Sequence, residues 1–266
     1  MFPEERKQRI CELVNEKRSV KVAELSRLMG ISEVTIRRDL EELSRQKHLI
    51  RTHGGAIAMY SVGSEISATE LIVSHKNIEE KRRIAALAYA MINDGDTVIA
   101  DGSSTVHELM KLVAAGDKKN LLVITNSFST ISMLEESKSI KVIMLGGEVN
   151  VRHNYVEGHL TVEAVKNLRA DKCFIGINGI DETFGYSTPR FLEAELKGQM
   201  LRSSLQSYIL ADKSKFGNIY LARIMGVECD CLITDAQKND YDYGWLEERT
   251  AVLFANSKEE VPPWNA

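Results

Sequence analysis

ELSRLMGISEVTIRRDLEELSRQKHLIRTHGGA, residues 24–56, carries two helical patterns separated by Met29-Gly30-Ile31-Ser32. Gly30 suits the left-handed position that ends a helix, and Ser32 is a good N-cap for the next. Two helices joined by a tight glycine-containing turn form a helix-turn-helix unit. In the second helix, SEVTIRRDLEEL, a rotation of about 100° per residue puts Ile36, Leu40 and Leu43 on one face, with Asp39 at its edge. Val34, Arg37, Arg38, Glu41 and Arg45 lie opposite, with Thr35 on the flank near the N-terminus.

Upstream, Ile10, Leu13, Val14 and Lys17 recur at helical spacing, and Val22, Leu25, Leu28 and Met29 repeat the pattern after a break at Arg18-Ser19. Downstream, HLIRTHGGAIA alternates apolar residues around Gly54-Gly55, which predicts a short hairpin wing. A helix presented in this way enters a DNA major groove, where arginine bonds guanine bidentately and the methyls of Val34 or Thr35 meet thymine. The candidate DNA-contacting residues are Lys21, Ser32, Val34, Thr35, Arg37, Arg38, Arg45, Arg51 and His53. Arg6, Lys7, Arg9 and Arg27 join Lys21 and Arg51 as candidate phosphate contacts. The same basic face also describes a solvated helix whose arginines pair with Glu41 or Glu42, an arrangement worth little energy.

Composition places this unit in a larger chain. The 266 residues are 44% hydrophobic and 27% charged with 4 Pro, an ordinary globular composition. The longest apolar runs, LLVI at 121–124 and VIML at 142–145, fall far short of the roughly 20 residues that span a bilayer. The opening MFPEERKQR is charged rather than an apolar signal region, so a cytoplasmic protein without a membrane partner is expected. The net charge of −4, taken alone, argues against nucleic acid binding. Residues 1–57, however, hold 12 Lys/Arg and 9 Asp/Glu, net +3, leaving 22 and 29, net −7, for the remainder. Acidity is therefore confined to the second part of the chain. Cys11, Cys173, Cys229 and Cys231 lack zinc-site spacing and read as buried reduced thiols, and no metal and no cofactor are expected.

GGAIAMYSVGSEISATE at 54–70 has no sustained period and separates the two parts, and NSKEEVPPWNA at 256–266 reads as a tail. The expected division is a DNA-binding domain at 1–57, a linker at 58–75, a second domain at 76–255 and a tail at 256–266. In the second domain, apolar runs alternate with helical patterns, predicting an α/β fold with a mostly parallel sheet. A helix is expected at 77–92 with Ile84, Leu87, Ala88 and Met91 inward. The strand TVIA is followed by Asp101-Gly102-Ser103-Ser104-Thr105 and a further helix. Small residues at a helix N-terminus make a phosphate cradle, or equally an ordinary turn capped by serine. LLVIT, KVIML, KCFIGI and YILA end in Asn126-Ser127, Gly146-Gly147, Asn178-Gly179 and Asp212-Lys213-Ser214-Lys215, and such strand ends gather along one ligand-binding edge. Lys215 can pair with a phosphate; Asp212 can hold sugar hydroxyls or its own turn. His107, His153 and His159 read as surface or packing residues.

Residues 5–57, and TIRRDL and HGGA above all, resemble the winged helix-turn-helix of the DeoR family of bacterial transcriptional regulators. Lys47 stands where such proteins usually carry glycine. DGDTVIADGSST, VITNS, MLGG, FIGINGID, GYST, EAELK and LADKSKFG are similar, in family order, to the DeoR sensor domain, whose fold is similar to ribose-5-phosphate isomerase. The resemblance implies a small winged domain followed by a larger Rossmann-like one. It further implies that Asp101, Gly102, Ser103, Ser104, Thr105, Asn126, Gly147, Lys197, Asp212 and Lys215 surround a phosphorylated sugar effector. In the isomerases a catalytic Glu precedes the lysine of the DxSK loop by eighteen residues; here that position is Lys197, with Glu193 and Glu195 nearby, and Phe184-Gly185-Tyr186-Ser187 replaces the Lys-Gly-Gly-Gly element. The expected protein is thus a regulator without catalytic residues. It is a repressor of a sugar-catabolism operon that binds a double-stranded operator as a homo-oligomer, dimer or tetramer. The alternatives are a sugar-phosphate isomerase carrying a DNA-binding domain, or a protein-interaction module.

Overall fold

The computed structural model describes residues 3–17, 19–46, 48–52, 54–58, 77–151, 153–224, 229–237, 240 and 243–255. His53, Lys47, the linker residues 59–75 and the tail at 256–266 lie outside the described residues. Two compact units emerge, one built on residues 1–65 and one on residues 66–216 and 220–266.

The first unit packs three helices, α1 (Pro3–Lys17), α2 (Val22–Met29) and α3 (Glu33–Arg45), on a small sheet. The α2–α3 turn forms as the residues dictate. Gly30 adopts φ 65°, and Ser32 accepts a bond from the Thr35 amide at 3.4 Å. Ile36, Leu40 and Leu43 are fully buried with Ile10, Val14 and Leu25. Leu28, expected inward, is 57% exposed. The break before α2 is a strand, β1 (Ser19–Lys21), which periodicity did not reveal because three residues are too few to show alternation. β1 pairs with β3 (Gly55–Ala58), which pairs antiparallel with β2 (Leu49–Thr52), giving the order β1-β3-β2. The β2–β3 hairpin is the expected wing, with Thr52 opposite Gly55 across a two-residue turn.

Ion pairs tie α1 to α3. Arg6 donates two bonds to Asp39, at 2.5 and 3.0 Å, and Lys7 reaches Glu42 at 2.6 Å. Asp39, at the edge of the apolar face, is buried there beneath Arg6, at 4% exposure. Arg6 and Lys7, both candidate phosphate contacts, are thus each paired with a carboxylate of α3.

The second unit is a doubly wound α/β layer. Seven strands, all paired in parallel, run in the order β15-β14-β12-β9-β4-β5-β6. These are β4 (Thr97–Ala100), β5 (Leu121–Thr125), β6 (Ile140–Met144), β9 (Ala170–Gly176), β12 (Ser204–Leu210), β14 (Cys231–Thr234) and β15 (Ala251–Phe254). Alternate residues serve opposite faces. Val98, Val123, Phe174 and Tyr208 pack with α4 (Ile78–Ala90) and α5 (Ser104–Ala115), while Ile99, Ile124, Cys173 and Ile209 pack with α7 (His159–Lys166) and α8 (Phe191–Arg202). Burial on both faces explains why the strands read as continuous apolar runs. A short helix α6 (Phe128–Leu134) follows β5. A hairpin, β7 (Glu148–Asn150) and β8 (Tyr155–Glu157), follows β6. A small sheet, β10 (Gly179–Asp181), β11 (Gly185–Thr188) and β13 (Ala222–Arg223), covers one end. Among the described residues no helix is long and apolar enough to cross a membrane.

A Cβ at Gly55 would lie 1.9 Å from the Val20 carbonyl oxygen, so β1 and β3 approach this closely only over glycine. Gly55→Ala is expected to destabilise the first unit by about 1–3 kcal/mol through overpacking. Denaturant melting followed by circular dichroism checks this, and an unchanged midpoint refutes it.

Candidate functional site

The exposed face of α3 presents the residues placed there by its period. Val34 is 78% exposed, and Arg37, Arg38 and Arg45 are exposed. Arg37 pairs with Glu33 at 2.8 Å. Among the described residues Arg38 has no ion-pair partner, so the anticipated pairing with Glu41 or Glu42 is not made. Ser32 and Thr35 bond each other, hydroxyl to hydroxyl, at 3.0 Å beside the helix start. Lys21 is exposed at the end of β1, and Arg51 is half-buried on β2. His53 lies outside the described residues. The surface therefore offers free guanidinium and methyl groups at a helix N-terminal half, the chemistry of base-edge contact.

In the second unit, the order in which strands are added reverses between β4 and β9: β4, β5 and β6 build outward one way and β9, β12, β14 and β15 the other, all parallel. The crevice past the C-terminal ends of such strands is where open α/β sheets bind ligands. Asp101 leaves β4 into this crevice and is buried. One carboxylate oxygen accepts the Ser103 amide at 3.0 Å; the other accepts the Gly176 amide at 3.2 Å and pairs with the Lys197 ammonium. Lys197 also donates to the Gly176 carbonyl at 2.8 Å and lies 3.3 Å from Glu193. Burial pushes the Lys197 ammonium down, but the charges of Asp101 and Glu193 outweigh it and hold it above the ordinary lysine range. Lys197, which the resemblance set beside an effector, is thus matched by internal carboxylates.

Ser103 occupies the N-cap of α5 yet makes no capping bond, and its buried hydroxyl has no hydrogen-bond partner. A Cβ at Gly176 would approach that hydroxyl to 2.3 Å, so Ser103 sits directly over β9. The serine-capped turn weighed from the sequence is not what forms, and the first-turn amides of α5 are not covered by the Ser103 side chain. Gly102 is exposed, Ser104 half-buried and Thr105 buried. Gly147 instead packs against α7, where a Cβ would fall 2.0 Å from the Thr161 hydroxyl.

Past β12, Asp212 divides its two oxygens. Oδ1 accepts the Ser214 amide at 2.9 Å, the Ser214 hydroxyl and the Asn77 side-chain amide at 3.0 Å; Oδ2 is buried without a hydrogen bond, 4.0 Å from the Lys215 ammonium. Both alternatives for Asp212 coexist, one oxygen holding the turn and the other facing the site. Burial raises the Asp212 carboxyl, but Lys215 and the bonds from Ser214 outweigh it and keep it below the usual range. Lys81 on α4 completes this corner. It is 1% exposed, and burial together with the charge of Lys215 pushes its ammonium down to about 8. Lys81 was missed in the sequence, although the signal was there: it shares the buried period of Ile84, Ala85 and Ala88.

At the opposite end of the edge, past β5, Asn126 is buried; its amide donates to the Val156 carbonyl at 2.9 Å while its oxygen has no partner. The β7–β8 hairpin brings Tyr155 against Gly102, within 3.5 Å of a Cβ built there. Arg190, ahead of α8, lies over the Tyr155 ring at 5.1 Å and reaches Glu157 at 3.4 Å and Glu193 at 3.2 Å. Burial raises the Glu157 carboxyl, and Glu193 and Glu148 add to the effect. Tyr155, Glu157 and Arg190 carried no sequence signal, since only tertiary packing brings them to the loop. Among the described residues no group of three or more His, Cys, Asp or Glu is placed to hold a metal.

Residues 6–62 match the DeoR-like helix-turn-helix domain, and residues 76–236 match the DeoR C terminal sensor domain. The chain is similar along its length to bacterial regulators. The HTH-type transcriptional repressor GlcR of Bacillus subtilis (strain 168) is 31% identical over 98% of this chain and 99% of its own. The uncharacterized HTH-type transcriptional regulator YulB of the same organism is 34% identical over 96% and 97%. The lactose phosphotransferase system repressor of Streptococcus mutans is 31% identical over 90% and 95%. Among solved structures, ribose 5-phosphate isomerase A from Methanocaldococcus jannaschii aligns at 16% identity over 53% of this chain and 55% of that one, with a TM-score of 0.38. With both domain types matched in order and relatives above 30% identity over nearly the whole length, the chain belongs to the DeoR family of helix-turn-helix transcriptional regulators.

Proposed function

We propose that this regulator is a repressor of a sugar-catabolism operon, controlled by a monophosphorylated sugar bound at the strand edge of the second unit. The observation that carries the effector assignment is the corner of Lys81, Lys215 and the α5 N-terminus. Two cations, Lys215 and the buried Lys81, feel each other's charge beside Asp212 in an otherwise acidic unit, and Ser103 leaves the start of α5 uncapped. A phosphate there is met by Lys215 and Lys81, by the Ser103 hydroxyl and by the α5 amides. Asp212 Oδ2 accepts a hydroxyl. The name of the lactose phosphotransferase system repressor points the same way, toward control by sugar metabolism. The second unit is read as a sensor rather than a catalyst. Glu193, the nearest carboxylate to the isomerase base position, is paired with Lys197 and Arg190; burial raises it, but those two cations outweigh burial and hold it below the usual range. Such a carboxylate is a poor proton acceptor.

The α3 face reads the operator, with two copies of the chain engaging repeated half-sites, because one small module offers limited affinity. A regulator of this kind works in the cytoplasm, where the DNA is.

Arg38→Ala is expected to weaken binding to a duplex selected by the wild-type protein by about 10- to 100-fold, the cost of one bidentate base contact, while sugar-phosphate binding is kept. Fluorescence anisotropy measures it, and unchanged affinity removes Arg38 from the interface. Lys81 supplies a pH test. With its proton lost above about pH 8 in the free protein, a phosphate dianion that settles beside it restores the proton. Calorimetric titration with a bound sugar monophosphate at pH 8.5, in two buffers of different ionisation enthalpy, should show most of a proton taken up. The uptake should vanish in Lys81→Met; equal uptake in both proteins excludes Lys81 from the phosphate corner.

A further inference from the structure

Buried polar atoms without hydrogen bonds are rare, and each asks for an explanation. Among the described residues the side-chain atoms of this kind are Ser103 Oγ, Asn126 Oδ1, Tyr155 OH, Glu157 Oε2, Arg190 Nε and Asp212 Oδ2. They belong to one edge. Ser103 and Asp212 lie at the cationic corner described above. The other four form a separate cluster beyond Gly102, joined by Tyr155 against the loop and by Arg190 over Tyr155 and against Glu157. β12 and β5 are three strand spacings apart, about 14 Å.

We propose that Asn126, Tyr155, Glu157 and Arg190 form the specificity end of the effector site, which takes the hydroxyl-bearing end of a sugar monophosphate and rejects a second phosphate. The assignment rests on the sugar-phosphate reading of the opposite corner. Its chemistry follows from the orphaned atoms. Asn126 Oδ1 and Glu157 Oε2 only accept, Tyr155 OH does either, and Arg190 Nε donates. Sugar hydroxyls, which donate and accept at once, satisfy all four. A phosphate dianion offers acceptors alone. Among the described residues it would also face Glu148, Glu157, Glu193 and Asp101, with Arg190 and Lys197 as the opposing cations, whose charges already serve Glu157, Glu193 and Asp101. The cationic corner and the acceptor-rich end thus fix the direction in which one ligand lies.

The test is calorimetric titration of the full chain and its Glu157→Gln and Tyr155→Phe variants with inorganic phosphate, glucose 6-phosphate, fructose 6-phosphate, ribose 5-phosphate and fructose 1,6-bisphosphate. Melting curves confirm that the variants fold. The wild-type protein is expected to bind at least one monophosphate 10-fold or more tighter than inorganic phosphate and than the bisphosphate. Each variant should lose about 10-fold or more for that monophosphate, with inorganic phosphate within twofold, and Glu157→Gln should narrow the gap to the bisphosphate several-fold. If the variants weaken phosphate and monophosphate equally, or the bisphosphate binds tightest in the wild type, the specificity end is wrong and the cationic corner stands. If the wild type binds neither phosphate nor any monophosphate, the effector reading itself falls, and this proposal with it.

Discussion

The second unit depends on one buried ion pair, Asp101 with Lys197. Asp101 follows β4, next to the central strand β9, and its carboxylate fixes three elements at once: the Ser103 amide of its own loop, the Gly176 amide of β9 and the ammonium from α8. Lys197 returns the constraint by donating to the Gly176 carbonyl. Taking two charges out of water is costly, and such a pair is tolerated because bonds from backbone and Glu193 complete it; removing one partner costs about 3–5 kcal/mol by stranding the other. The pair therefore shapes the crevice while contributing no net charge to it.

That neutrality decides where an anion can go. With Lys197 committed, the cationic character of the edge moves to Lys81 and Lys215, beside the half-satisfied Asp212 and the α5 N-terminus. The first unit repeats the logic. Arg6 and Lys7 are spent on Asp39 and Glu42, which fix α3 against α1, while Arg38 and Arg45 of α3, with Lys21 and Arg27, face outward. In both units, counting lysines and arginines overstates the charge offered to a partner, because internal pairing takes up part of it.

The fold was largely legible in the sequence. Gly30 and Ser32 marked the turn, the period of Ile36, Leu40 and Leu43 marked the buried face of α3, and doubly buried strands such as LLVIT announced a parallel sheet. What escaped was either too short to show a period, as with β1, or created by tertiary contact. The DGSST loop was found from its residue types. Its serine was expected either to cap the helix or to cradle phosphate, and only the structure shows the hydroxyl uncapped. Lys81 is hidden from an apolar pattern because a charged residue stands on the buried stripe of its helix. Tyr155, Glu157 and Arg190 come from a hairpin and a loop distant in sequence from the strand ends they cover, so no spacing rule connects them to the site.

The proposed anion-binding corner in one unit and the proposed groove-reading helix in the other matter biologically only if they are energetically coupled, and coupling between two binding events is reciprocal. The decisive measurement is the affinity for operator DNA with and without a saturating sugar monophosphate, set beside the affinity for that sugar monophosphate with and without DNA. The account predicts the same factor in both directions, between about 5-fold and 150-fold. Affinities that do not change in either direction would contradict it.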